Sequence, residues 1–129
     1  MNSAHFIFYV SDQERSKCFY EAVLGLKPRL HVPGMTEFSL GPGTVLGLMP
    51  ETGIKRLLGE SIQDPASAAG IPRAELYLMV SNPAELHQRA ILAGAKELSP
   101  FEKRSWGHKA AYSSDLDGHV IAFACPETS

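Results

Sequence analysis

The chain has 129 residues, 44% of them hydrophobic and 20% charged, with a formal net charge of −2. That composition suits one compact domain, or two small modules sharing a core, and excludes a disordered chain. No long basic run offers a footprint for nucleic acid, and the longest apolar runs have strand length, too short for a membrane span. No secretory leader is read at the start. Cys18 and Cys125 fall in a predicted helix and strand without metal-type spacing, so two small buried hydrophobes in a reducing cytoplasm are expected.

Residues 4–10 read as a strand rich in aromatic and β-branched side chains. Ser11-Asp12-Gln13-Glu14 resembles a capping box and opens a helix reaching about Leu24, stopped by Gly25. Its expected apolar face carries the Arg15 stem, Cys18, Phe19, Ala22 and Val23. Short strands follow at 27–32, 36–40 and 44–49, divided by Pro33-Gly34 and Gly41-Pro42-Gly43. Pro50 to Pro72 is rich in Gly, Ala, Ser and Pro. Within it Ile54, Leu57 and Leu58 could form one helical turn that packs down. The segment reads as a bridge between modules, with a lid over a pocket as the alternative. A second strand–helix pair then begins at about 74–81 and Asn82-Pro83, with Leu86, Ala90 and Ala93 on one helix face and an end at Gly94. Strands at 96–100, 108–114 and 119–125 complete the chain, the last two joined by Asp115-Leu116-Asp117-Gly118.

The two halves repeat. His5-Phe6-Ile7-Phe8-Tyr9-Val10-Ser11-Asp12 aligns with Glu75-Leu76-Tyr77-Leu78-Met79-Val80-Ser81-Asn82, and each half reads β-α-β-β-β. The predicted fold class is α+β, with two tandem βαβββ modules forming a curved mixed sheet around a cleft. The modules span 1–50 and 73–129, with 51–72 as linker.

Strand alternation assigns faces. Phe6, Phe8 and Val10 suit the helix-covered side, leaving His5, Ile7 and Tyr9 opposite. In the repeat Leu76, Leu78 and Val80 go under the helix, leaving Glu75, Tyr77 and Met79. Leu46, Leu48, Ile121 and Phe123 join the core, leaving Val45, Gly47, Met49, Ala122 and Ala124. Tyr9, Val45, Met49, Tyr77 and Met79 make that far face too apolar for plain solvent exposure. It could line a ligand cleft, meet another subunit, or fill a core between half-sheets. Met and Tyr walls suit a broad apolar ligand. His5 and Glu75 could be an inert hydrogen-bonded pair, ligand anchors, or an acid and base. Trp106 reads as a core aromatic or as a stacking wall, with Gly107 allowing close approach. His87, His108 and His119 are expected at the surface, and Lys55-Arg56 and Lys103-Arg104 as solvated charges.

The βαβββ pair, Phe19-Tyr20-Glu21-Ala22-Val23-Leu24-Gly25-Leu26, Asp115-Leu116-Asp117-Gly118-His119-Val120-Ile121 and Trp106-Gly107 together resemble the vicinal oxygen chelate superfamily. That superfamily includes glyoxalase I, extradiol dioxygenases, and fosfomycin- and bleomycin-resistance proteins. Its metalloenzymes hold a metal at four strand positions, and the resemblance puts these at His5, Gly47, Glu75 and Ala122. Two of the four cannot ligate, and His31, His108 and His119 lie at no matching inner-face position. The resemblance therefore implies metal-free, cofactor-free binding, as in the bleomycin-resistance branch, of a small and partly planar organic molecule. The residues expected to touch it are His5, Tyr9, Met49, Glu75, Tyr77, Met79 and Trp106, in a cytoplasmic homodimer. The alternative is a lyase, isomerase or dioxygenase with an unusual metal site on His5 and Glu75.

Overall fold

The computed structural model describes residues 1–128. The elements run β1 (Ala4–Val10), α1 (Gln13–Leu24), β2 (Leu30–Val32), β3 (Met35–Gly41), β4 (Thr44–Pro50), α2 (Glu51–Leu58), β5 (Glu75–Met79), α3 (Pro83–Leu92), β6 (Lys96–Lys103), β7 (His108–Ser114) and β8 (Val120–Pro126). Two short 3-10 turns, Gly59–Ser61 and Pro65–Ala68, follow α2. The chain divides into two compact units. One joins Met1–Glu21 to Gly25–Ala69, and the other joins Ala22–Leu24 to the chain from Gly70 onward. Each holds one four-stranded sheet, ordered β1-β4-β3-β2 and β5-β8-β7-β6. In both, the first strand pairs parallel with the last and the remaining pairs are antiparallel. The α+β fold with tandem βαβββ modules is therefore the observed one.

In the first unit Asp12 caps α1, its carboxylate accepting the Arg15 amide at 3.0 Å, and Gly25 ends the helix at φ 67°. The buried stripe is Ser16, Phe19, Tyr20 and Val23, the i, i+3, i+4, i+7 rhythm, rather than the predicted Cys18 face. The small hydroxyl of Ser16 sits inside, and Cys18 is exposed. Tyr20 meets Phe38 with ring centroids 6.5 Å apart, so α1 covers the face of β3 and β4 that carries Phe38, Leu46 and Leu48. Phe8 and Val10 are buried on that face, whereas Phe6 is 55% exposed because it lies toward the start of an edge strand. Gln13 clasps the β2–β3 hairpin. Its Nε2 donates to the Val32 carbonyl and to Thr36 Oγ1, and its Oε1 accepts the Gly34 amide. The bridge holds two turns of helix rather than one, and only Ile54 packs down while Leu57 and Leu58 stay exposed. Lys55 Nζ ends α2 by donating to the carbonyls of Gly59 and Ile62.

In the second unit α3 packs on β7 and β8, burying Leu86, His87 and Ala90 on the side of the sheet that carries Ile121 and Phe123. His87 was expected at the surface. It is buried instead, bonding Glu97 Oε2 through Nε2 at 2.8 Å. His119 is buried too, inside the β7–β8 turn. Asp115 Oδ1 accepts the amides of Asp117 and His119, both at 2.9 Å, while Oδ2 faces His119 Nδ1 at 3.1 Å. Arg73 donates to His119 Nε2, so the neutral ring carries its proton on Nδ1 and donates to Asp115. Gly118 sits in this turn at φ 91° with the Gly70 backbone against it, leaving no room for a Cβ.

Candidate functional site

Register turns the strand alternation into two defined faces. On the first sheet the rows His5–Val45, Ile7–Gly47 and Tyr9–Met49 lie away from α1. Glu37 of β3 lies opposite Gly47 and so shares that side. On the second sheet the rows are Glu75–Val120, Tyr77–Ala122 and Met79–Ala124, continued by Ser114, Tyr112 and Ala110 of β7. Of the predicted residues, His5, Tyr9 and Met49 therefore share one face, and Glu75, Tyr77 and Met79 share the other.

The first face ties up its own polar groups. Arg29 Nε donates to Glu37 Oε1 at 2.9 Å, and Glu37 Oε2 lies 3.4 Å from His5 Nδ1. Within its own sheet, the acidic neighbour of His5 is Glu37. The place where a second metal-binding side chain would stand is crowded by two side chains. A Cβ on Gly47 would lie 3.0 Å from Ile7 Cγ1 and 3.3 Å from Met35 Sδ.

The second face is an aromatic assembly on an alanine floor. Ala110, Ala122 and Ala124 are wholly buried, small enough for larger side chains to lie across them. The Tyr77 hydroxyl bonds His108 Nδ1 at 2.8 Å and accepts the Trp106 indole N–H at 3.0 Å. Tyr77 and His108 rings lie 5.8 Å apart at 33°. Tyr77 Oη accepts from Trp106 and shares one hydrogen bond with His108 Nδ1, whose direction follows the imidazole tautomer. Trp106 is 53% exposed and Met79 48%, so Trp106 is not a core aromatic. His108, expected at the surface away from any site, belongs to this cluster.

Arg104 is likewise no solvated charge. Its guanidinium lies 5.0 Å from the Tyr112 ring centre and donates to the Ala110 and Pro100 carbonyls, Ser99 Oγ and Glu102. Burial holds the Tyr112 phenol above its ordinary value. The negative charge of Glu75 and the neighbouring Tyr77 push the same way, against Arg104.

On its helix side the first unit also has an open recess of about 410 Å³, lined by Asp12, Gln13, Glu14, His31, Val32 and Pro33. Its acids are already engaged. Asp12 caps α1, and Glu14 pairs with Lys17 and His31, which hold its carboxyl below the usual range.

The four-position metal centre does not fit these residues. Gly47 has no donor, a side chain there would have to push Ile7 and Met35 aside, and Ala122 is a buried methyl beside Tyr77 and Tyr112. Among the described residues there is no group of three or more His, Cys, Asp or Glu able to hold a metal ion.

A family profile described as Glyoxalase/Bleomycin resistance protein/Dioxygenase superfamily matches residues 2–123. The chain belongs to that superfamily. Solved structures agree on the fold. A glyoxalase-related enzyme from Fulvimarina pelagi is 24% identical with a TM-score of 0.80, the match covering 95% of this chain and 86% of that one. A glyoxalase/bleomycin resistance protein/dioxygenase from Nocardioides is 20% identical, with a TM-score of 0.76 and coverage of 98% and 83%. A family enzyme from Burkholderia phytofirmans PsJN is 16% identical, with a TM-score of 0.80 and coverage of 95% and 97%. A search of curated proteins found no match. At these identities the likeness is one of fold, which hosts many unrelated activities. Among the described residues, no helix is long and apolar enough to cross a membrane.

Alternation in the sequence located Glu75, Tyr77 and Met79. It missed Glu37, Tyr112 and Arg104, whose roles depend on which strands neighbour β1 and β5. Alternation within 36–40 and 108–114 puts Glu37 and Tyr112 on single faces, but only the pairing says which.

Proposed function

We propose that the protein binds a small, partly planar organic molecule by apolar burial and stacking, without a metal, and works as a homodimer. Tyr77, Met79 and Trp106 supply contact area, and Glu75 orients the ligand. The observation that carries this reading is the Trp106–Tyr77–His108 chain of hydrogen bonds. It fixes the edges of two aromatic rings and leaves the indole half exposed. An ordered, exposed indole beside an exposed thioether is a surface suited to a flat ligand.

A thermal-shift screen, including glycopeptide antibiotics and glutathione adducts, tests the reading. A binder is expected to raise Tm in proportion to the logarithm of its concentration. Trp106→Ala is expected to weaken that binder at least about tenfold, the scale of one lost aromatic contact. A binder indifferent to both Trp106→Ala and Tyr77→Phe would place the site elsewhere. Sedimentation at assay concentration checks the dimer.

The rival reading is a metal-dependent lyase, isomerase or dioxygenase, and Glu37 beside His5 is the observation in its favour. Against it, one Glu37 oxygen is already held by Arg29. A stoichiometric transition metal in purified protein, with Tm raised on Ni, Mn, Zn or Fe titration, would decide for the enzyme.

A further inference from the structure

The second face has an unbalanced inventory of polar groups. The Trp106 N–H is spent on Tyr77, and Tyr77 Oη and His108 Nδ1 share one hydrogen bond. Arg104 lies against Tyr112 and donates to two carbonyls, Ser99 and Glu102. Arg73, two residues before Glu75, donates to the Asp117 carbonyl and to His119. Glu75 itself is exposed and has neither a hydrogen bond nor an ion pair among the described residues. What remains for a ligand is one free carboxylate, the π faces of Trp106 and Tyr77, and the Met79 sulfur. Of the donors on this face, the second ring nitrogen of His108 and the hydroxyls of Tyr112 and Ser114 have no hydrogen-bond partner among the described residues, and none of the three is a lysine or arginine cation. Ring faces and carboxylate oxygens present negative potential, so they attract positive charge and repel anions.

From this inventory we infer that the ligand class is an organic cation, an aryl-bearing quaternary or protonated amine. Its positive centre meets Glu75, and its ring lies along Tyr77 and Trp106. The inference rests on the ligand-binding reading above and sharpens it. Glu75 and Tyr77 are two residues apart on one strand face, about 7 Å along the strand. An amine attached directly to, or one carbon from, a bicyclic ring spans that distance. Phosphate, sulfonate and carboxylate ligands are disfavoured, because no free cation on this face stands beside Glu75 to receive them.

Trp106 is the single tryptophan of the chain, so its indole N–H proton signal reports this face alone. The test is a titration of that signal with three flat probes of similar size: 1-naphthylmethylammonium, neutral 1-naphthylmethanol and anionic 1-naphthoate. The cation is expected to bind about tenfold more tightly than the neutral probe, the scale of a cation–π contact plus a partly shielded charge pair. The anion is expected to bind more weakly than both. In Glu75→Gln, whose Tm should match the parent because Glu75 has no partner to lose, the cation's advantage is expected to fall to about twofold or less. The neutral probe should be unaffected. Equal binding of cation and neutral probe, or an advantage that survives Glu75→Gln, overturns the cation assignment and leaves the aromatic site standing. If none of the three moves the indole signal at millimolar concentration, the cation assignment and the ligand-binding reading both fail.

Discussion

The two units share one strand order, yet their exposed faces treat polar groups in opposite ways. On the first, Arg29, Glu37 and His5 satisfy one another, and Ile7 with Met35 occupies the space beside Gly47. On the second, the aromatic edges bond internally and the lone carboxylate of Glu75 is left over. The turns that close the two sheets differ in the same sense. Gly41-Pro42-Gly43 joins β3 to β4 by backbone freedom, whereas a buried carboxylate clamps the link between β7 and β8. A duplicated scaffold fixes which positions face which way, and it leaves free the choice between self-pairing and readiness for a partner.

The largest test of that contrast is the second turn. Asp115→Ala removes three acceptor contacts at a site where water cannot replace them. It should cost about 3 kcal/mol or more, lowering Tm by about 10 °C in a chain of this size. Asp115→Asn keeps an acceptor for the amides and should lose roughly half as much. A fall under about 2 °C for the alanine variant would mean that Gly118 and its neighbours hold the turn without the carboxylate.

The next test addresses the crowded first face. Gly47→Glu restores the donor that the family's metalloenzymes have, but its Cβ must displace Ile7 and Met35. About 1–3 kcal/mol of destabilisation is expected in denaturant melts, with no rise in Tm on adding Ni or Mn. Relief of the cost in Gly47→Glu/Ile7→Ala would identify the crowding as its cause. A metal-dependent rise in Tm in the single variant would show that the face gives way easily.

The smallest effect is alkaline. The Tyr112 phenol is held above 10.0 in the folded chain. Below pH 10 both folded and unfolded chains keep this proton, and it makes no difference to stability. Above about pH 10 the unfolded chain ionises first, so stability declines with rising pH until the folded phenol also ionises. Tyr112→Phe should remove that part of the decline and leave neutral-pH stability within about 1 kcal/mol. Identical alkaline slopes for the two chains would contradict the assignment.

Much of this was readable before any coordinates. Period-two alternation put Tyr77 and Met79 opposite Leu76 and Leu78, and the Asp12 and Gly25 signals bounded α1 correctly. The errors share a cause. The predicted face includes Cys18 and omits Ser16 because it follows hydrophobicity residue by residue, whereas the helix buries a geometric stripe. His87 and His119 were placed at the surface because their partners Glu97 and Asp115 become neighbours only through strand pairing and turn formation. The His5–Glu37 contact was invisible for the same reason. It depends on β3 lying beside β4, and no local pattern states that.

The Gln13 clasp has a consequence for the order in which structure is lost. One side chain on the first turn of α1 holds the Val32 carbonyl, the Thr36 hydroxyl and the Gly34 amide of a hairpin whose β2 arm has three exposed residues. So short an arm has little cohesion of its own, so fraying at the start of the helix and opening of the hairpin become a single event. In hydrogen–deuterium exchange the Gly34 amide should therefore keep time with the first turn of the helix rather than with the loops around it.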